Sequence, residues 1–219
     1  MKVDFVENPK RTPRMPRTPK SETIQLRIIA GDLRSRKIQF ACDPRTRPMK
    51  DRTREAVMNL LGGTFPGLYA FDLFGGSGIL AFEAVSRGAR EAVIWEILRP
   101  RAADIARFSR ELGIDDRINV LAADVLRWTV QGGLASPDWQ HYFQSPWLVF
   151  ACPPYRMWDT QGGEIRSALQ AWLEVAPPAS LAAIELEVET DEQWLPEGYS
   201  WDLRKYAPAK IAIAEKSSP

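Results

Sequence analysis

A chain of 219 residues that is 45% hydrophobic and 26% charged, with eight Trp, is long enough to bury one sizeable core and too aromatic to be disordered throughout. Its two cysteines, Cys42 and Cys152, stand far apart with no CxxC and no Cys/His cluster, so neither a disulfide framework nor a zinc site is suggested and a reducing, cytoplasmic setting is expected. The start, MKVDFVENPK, has no long apolar segment and nowhere do about 18 apolar residues run together, so neither secretion nor a membrane partner is expected.

The net charge of +1 conceals an asymmetry. Residues 1–54 carry 15 Lys and Arg against 6 Asp and Glu, whereas residues 55–219 carry 14 against 22. A basic arm on an acidic body points to a polyanion partner, because cations that neutralise phosphates release counterions. A solvated tail kept for solubility would have the same composition. Residues 1–23, with four Pro, six Lys and Arg and no apolar period, read as a disordered basic tail.

The elements then follow in order. Residues 24–63 form an N-terminal extension. IQLRIIAGDLRSRKIQF (24–40) reads as two strands around a Gly-Asp turn, with Arg27, Arg34, Arg36 and Lys37 on the exposed face. A loop with Arg45 and Arg47 leads to a helix capped at Asp51, with Ala56, Val57, Leu60 and Leu61 at helical spacing and a stop at Gly62-Gly63. From about residue 64 to the end, short apolar runs (LYAFDLF, EAVIWEI, INVLAAD, SPWLVFA, SLAAIELEV, KIAIAE) alternate with amphipathic stretches. That alternation is the pattern of a doubly wound α/β fold: a mostly parallel sheet with helices on both faces.

Three strand tips carry chemistry. FDLFGGSG ends a strand in Asp72 and turns through Gly75, Gly76, Ser77 and Gly78 into a helix, where glycines allow a sharp turn and close approach of a ligand. Glu96 follows about twenty residues later at the end of the next strand, a distance suited to an acid that accepts from ribose hydroxyls. Asp124 ends the third strand, where it could meet an adenine amine. Any one acid could simply cap a helix; three at these intervals outline a nucleoside pocket. Dinucleotide and S-adenosylmethionine both fit that outline, but Asp72 would repel a pyrophosphate and attract a methionine ammonium, so S-adenosylmethionine is the better ligand.

The fourth tip is FACPPY, residues 150–155. With DLFGGSG, WEI and AAD before it, it resembles the class I, Rossmann-like methyltransferases that modify amino groups of nucleic-acid bases. RIIAGDLRSRKI, RPMKDRTREAVMNLL and RKYAPAKIAIAE make the chain similar, over roughly residues 26–215, to the RsmD family, bacterial guanine-N2 methyltransferases of small-subunit ribosomal RNA. The resemblance implies that Asp72, Phe74, Gly75, Gly76, Ser77 and Gly78 hold the methionine end of the cofactor, Glu96 and Ile97 the ribose side, and Asp124 with Val125 the adenine. It implies a substrate of ribosomal RNA or the small subunit, bound by a monomer through Arg27, Arg34, Arg36, Lys37, Arg45 and Arg47.

In the family's [DN]PP[YF] motif the Asp or Asn and a neighbouring carbonyl accept from the base amine, the prolines stiffen the loop, and the aromatic ring stacks on a flipped base. Pro153, Pro154 and Tyr155 match; Cys152 does not, because a thiol is only a weak donor and acceptor. Three readings stay open: backbone carbonyls carry the amine alone, the protein binds cofactor or RNA without efficient transfer, or Arg156 turns Cys152 into a thiolate acceptor. Met49-Lys50 also replaces the family's usual Thr pair after RP. Tyr155, Arg156 and Trp158 read as a platform for a base, with packing as the alternative for Trp158. Arg52 and Arg54 read equally as RNA contacts or as partners of the acidic body. The segment 127–146, with the sole histidine His141, reads as a helix and loop rather than a lid. AIELEVETDEQW reads as a strand with one solvated acidic face.

Overall fold

The computed structural model describes residues 22–42 and 48–217. The basic tail lies outside these residues except for Glu22 and Thr23, and Arg45 and Arg47 lie outside them too. A hairpin of β1 (Glu22–Arg27) and β2 (Lys37–Cys42) precedes helix α1 (Asp51–Leu60). Then come β3 (Tyr69–Asp72), α2 (Ile79–Ser86), β4 (Glu91–Trp95), α3 (Arg99–Leu112), β5 (Ile118–Leu121), α4 (Val125–Val130), β6 (Trp147–Ala151), α5 (Arg156–Val175), β7 (Leu181–Glu187), β8 (Asp202–Tyr206) and β9 (Ala209–Glu215). The sheet order is β5-β4-β3-β6-β7-β9-β8; the first five strands are mutually parallel and the β8-β9 pair is antiparallel. Strand β8, which carries DLRKY, has no apolar run, and sequence patterning missed it. The doubly wound α/β architecture is the one expected, because β3, β4 and β6 are apolar on both faces and need helices on both.

One face of the sheet is an aromatic core. Phe71, Trp95, Trp139, Trp147 and Trp172 pack with ring centroids 4.9–6.5 Å apart, and Trp128 joins them at 5.0 Å from Trp95. Residues 127–146 supply Trp128, Trp139 and Tyr142 to this core, and none of them lines the cleft described below. His141 is exposed and stacks on Tyr142 at 3.8 Å.

On the other face the N-terminal extension shares one apolar core with α2: Leu26, Ile28, Ile38, Phe40, Val57 and Met58 pack with Phe82 and Val85. Polar clasps join them. Ile29 N donates to Glu83 Oε1 at 2.7 Å, Leu33 N to Ser86 Oγ at 2.9 Å, and Ser86 Oγ to Ala30 O at 2.6 Å. Arg54, fully buried, donates to Glu83, to the carbonyls of Arg27 and Met49, and to Asp51. Buried charges persist only when paired in this way, which decides Arg54 in favour of the acidic body; Arg52 is exposed.

Two local expectations are corrected. The connection between β1 and β2 runs from Ile28 to Arg36 rather than turning tightly at Gly31-Asp32. Gly31 (φ +79°) instead presses the loop onto α2, where a Cβ would stand 1.8 Å from Ser86 O. The N-cap of α1 is Lys50, with no side-chain cap, and the Asp51 carboxylate pairs with Arg54 at 2.9 Å.

Candidate active site

The carboxyl ends of β3 to β7 open into one cleft of about 850 Å³, at the switch point between β3 and β6 where open α/β sheets bind ligands. Asp72, Phe74, Gly75, Gly76, Ser77, Glu96, Ile97, Asp124, Val125, Cys152, Pro153, Pro154 and Tyr155 all line it. Phe40 of the hairpin, Met49 and Lys50 just before α1, and Thr53 of α1 add a further wall.

The glycine loop is shaped for close approach. Gly75 N donates to Trp95 O at 2.7 Å, and a Cβ there would lie 2.5 Å from Ile94 Cγ2. Gly78 does not reach the cleft; it caps α2 in a left-handed conformation (φ +75°), packed near Ile105. Glu96 is oriented by two backbone donors, Gly76 N to Oε2 at 3.0 Å and Leu98 N to Oε1 at 2.8 Å, with acceptor capacity left on both oxygens. Ile97 beside it is 62% exposed. Asp124 Oδ1 accepts from Leu126 N and Arg127 N and so caps α4, the plainer role weighed for it, while the residue still borders the cleft.

Asp72 is the electrostatic anomaly. It is 1% exposed, its Oδ1 has no hydrogen-bond partner among the described residues, and burial, with nearby Glu96 adding repulsion, pushes its carboxyl up to about 8 against the opposing donation from Phe74 N–H. A buried carboxyl oxygen without a donor calls for a cation, donor or water that the described residues do not supply.

The β6 and β7 side is built differently. Burial first, and then the charges of Glu185 and Asp72, push the Cys152 thiol well above its ordinary range. The thiolate reading is therefore overturned: exposed Arg156 does not offset two carboxylates and desolvation. Trp158 is buried, with Nε1 donating to Glu185 O at 3.1 Å, so it packs rather than forming a platform. Glu185 corrects the reading of a solvated strand face. Within β7 only Glu187 is exposed; Glu185 is partly buried, lines the cleft and accepts the Tyr155 hydroxyl at 2.7 Å. Tyr206 and Ala209, from the antiparallel pair, also border this end. The signal for Glu185 in the sequence is its place late in an apolar strand, one turn of the fold beyond the PPY loop.

The family model described as Conserved hypothetical protein 95 matches residues 26–212. The chain belongs to the RsmD family. Within it, ribosomal RNA small subunit methyltransferase D of Escherichia coli K12 is 30% identical over 185 residues, covering 84% of this chain and 85% of that protein. The protein of the same name from Buchnera aphidicola of Acyrthosiphon pisum is 31% identical over 128 residues, 58% of this chain and 62% of its own. A solved Escherichia coli structure named as the methyltransferase yhhF superposes with a TM-score of 0.67 at 25% identity, covering 89% of this chain and 99% of that one. RsmD members with this Rossmann-like fold are S-adenosylmethionine-dependent rRNA methyltransferases.

The side chains of the cleft fit that cofactor. Asp72 Oδ1 is the unpartnered buried acceptor that a methionine ammonium would satisfy, Glu96 has free acceptor sites for hydroxyls, and Ile97 and Val125 offer apolar surface for a flat ring. Among the described residues no group of three or more His, Cys, Asp and Glu stands together to hold a metal, and no helix is long and apolar enough to cross a membrane.

Proposed function

We propose that this chain methylates the exocyclic N2 amine of a guanine in 16S rRNA, with S-adenosylmethionine supplying the methyl group, and that it acts as a cytoplasmic monomer. The observation that carries this reading is the single cleft that joins Asp72 and Glu96 to the Pro153-Pro154-Tyr155 loop. Asp72, Phe74, Gly75, Gly76 and Ser77 would hold the methionine end, Glu96 and Ile97 the ribose, and Val125 and Asp124 the adenine. Gly78 acts indirectly, by setting the start of α2. The base would enter between Tyr155 and the α1 wall, since stacking and a stiff loop suit a nucleobase taken out of its stack.

The RNA backbone is assigned to the cationic outer surface. Arg27 and Lys37 are cross-strand partners on the exposed side of the hairpin, Arg34 is exposed in its loop, and Lys50, Arg101 and Arg156 line the cleft. Arg36 contributes differently, with Nη2 donating to Glu111 O at 2.9 Å and so bracing the hairpin on α3. Arg45 and Arg47 complete the set expected from sequence.

A protonated thiol at position 152 favours a second reading, a methyltransferase-fold protein that binds cofactor or RNA but transfers slowly. Transfer of a radiolabelled methyl group to 16S rRNA and to small-subunit particles, followed by nucleoside analysis, separates the two. The expected result is N2-methylguanosine with the wild type. Label appearing only with Cys152→Asn would establish the second reading instead.

A further inference from the structure

Position 152 carries a thiol where the family motif carries Asp or Asn, yet a carboxylate stands beside the same place. Strand β7 runs parallel to β6 in the register Ala151↔Ile184, which makes Cys152 and Glu185 the next pair along the two strands. Side chains alternate, so both leave the sheet on the side of Ala183, toward the α1 wall of the cleft. Two donors fix Glu185 there: the Tyr155 hydroxyl to Oε1 at 2.7 Å and Trp158 Nε1 to its backbone oxygen at 3.1 Å. A carboxylate offers about four acceptor directions, and the Tyr155 hydroxyl occupies one of them.

We propose that Glu185 is the acceptor for the base amine, supplying from β7 the contact that position 152 does not. This rests on the methyltransferase reading given above. Glu185 accepts one amine N–H and thereby turns the nitrogen lone pair toward the methyl group, while Tyr155 holds the carboxylate in place. The lone pair forms the N–CH₃ bond, the bond from the methyl to the sulfonium sulfur breaks with its electron pair left on sulfur, and the amine proton passes to Glu185 and then to water. Burial raises the Glu185 carboxyl and donation from Tyr155 and Cys152 lowers it, so it is a stronger base than an exposed glutamate and is still held toward the ionised form.

The test begins with binding rather than turnover. Protein saturated with S-adenosylhomocysteine is titrated with guanosine 5′-monophosphate and with inosine 5′-monophosphate, which lacks the N2 amine, by saturation-transfer NMR. The wild type should prefer the guanosine nucleotide by roughly tenfold or more, as for a hydrogen bond to a charged group. Glu185→Ala should abolish the preference, and adding Cys152→Asn to it should restore it, which a merely structural role for Glu185 would not allow. Equal binding of the two nucleotides by wild type and Glu185→Ala overturns the assignment. Glu185→Leu, which keeps much of the bulk but has no acceptor, should lower kcat on small-subunit particles roughly 100-fold with unchanged affinity for S-adenosylhomocysteine, by analogy with removing one oriented catalytic hydrogen bond; an unchanged kcat also overturns it. Failure of the guanine reading looks different: the adenosine nucleotide would then be preferred over its purine analogue without the amine, and Glu185→Ala would erase that preference.

Discussion

On the β3, β4 and β5 side of the cleft, polar groups are set by backbone close in sequence or one strand away: Gly76 and Leu98 amides hold Glu96, and Leu126 and Arg127 amides hold Asp124. On the β6 and β7 side the decisive contacts join residues about thirty apart, Tyr155 and Trp158 to Glu185, through strand register. The first arrangement makes a rigid cradle that a short motif can encode. The second depends on which residues two neighbouring strands bring together, so under the proposal made for Glu185 a change at position 152 would not by itself remove the chemistry.

The largest effect that would break this contrast is expected at Asp72. Asp72→Asn should weaken S-adenosylhomocysteine binding by 100-fold or more in calorimetry, a loss of about 3 kcal/mol. It should also raise the stability of the unliganded protein. The folded-state carboxyl titrates near 8 rather than 3.8, so the wild type loses stability as pH rises from 3.8 toward 8, and Asn does not titrate. Cofactor affinity of the wild type should accordingly climb between pH 6 and 8, by at most about tenfold per unit, and level off above that range. A flat profile would mean that Asp72 already has its cation partner within the chain.

Gly75→Ala comes next, because its Cβ would press on Ile94 Cγ2 and Trp95 O. A loss of about 1–3 kcal/mol in denaturant unfolding is expected, together with weaker cofactor binding. Tyr155→Phe sharpens the other half of the comparison: it removes the 2.7 Å donor to Glu185 and should slow transfer about tenfold with cofactor affinity unchanged. The smallest effect is expected at Asp124→Ala, about 1 kcal/mol of stability from the lost α4 cap. If that variant instead lost cofactor affinity more than stability, the adenine role would outweigh the cap.

The cradle was largely legible in the sequence. Asp72, the glycines and Glu96 sit at intervals set by strand and crossover length, so linear spacing translates directly into adjacency at successive strand tips. Gly78 departs from the expectation because it serves the turn rather than the ligand. The base half was legible only in its loop. Alternation along AIELEVE assigns Glu185 and Glu187 to one face, and that face reads as solvent. Only the position of the strand end, with Glu185 facing the cleft and Glu187 beyond it, separates the two. The charge asymmetry was legible as well, but the fate of each arginine was not: Arg54 is buried against Glu83, Arg36 braces α3, and Arg27 and Arg34 stay exposed.

The sequence by itself determined the doubly wound fold, the acidic and glycine-rich strand tips that border the cleft, and the family, because apolar periodicity and turn chemistry are local properties that survive in one dimension. Tertiary structure alone decided that the N-terminal extension shares its core with α2, that the Cys152 thiol is pushed above its ordinary range by burial and neighbouring carboxylates, and that Glu185 enters the cleft. Each of these depends on which distant groups share a desolvated space. There, burial and neighbouring charge, rather than residue type, set what a side chain can do.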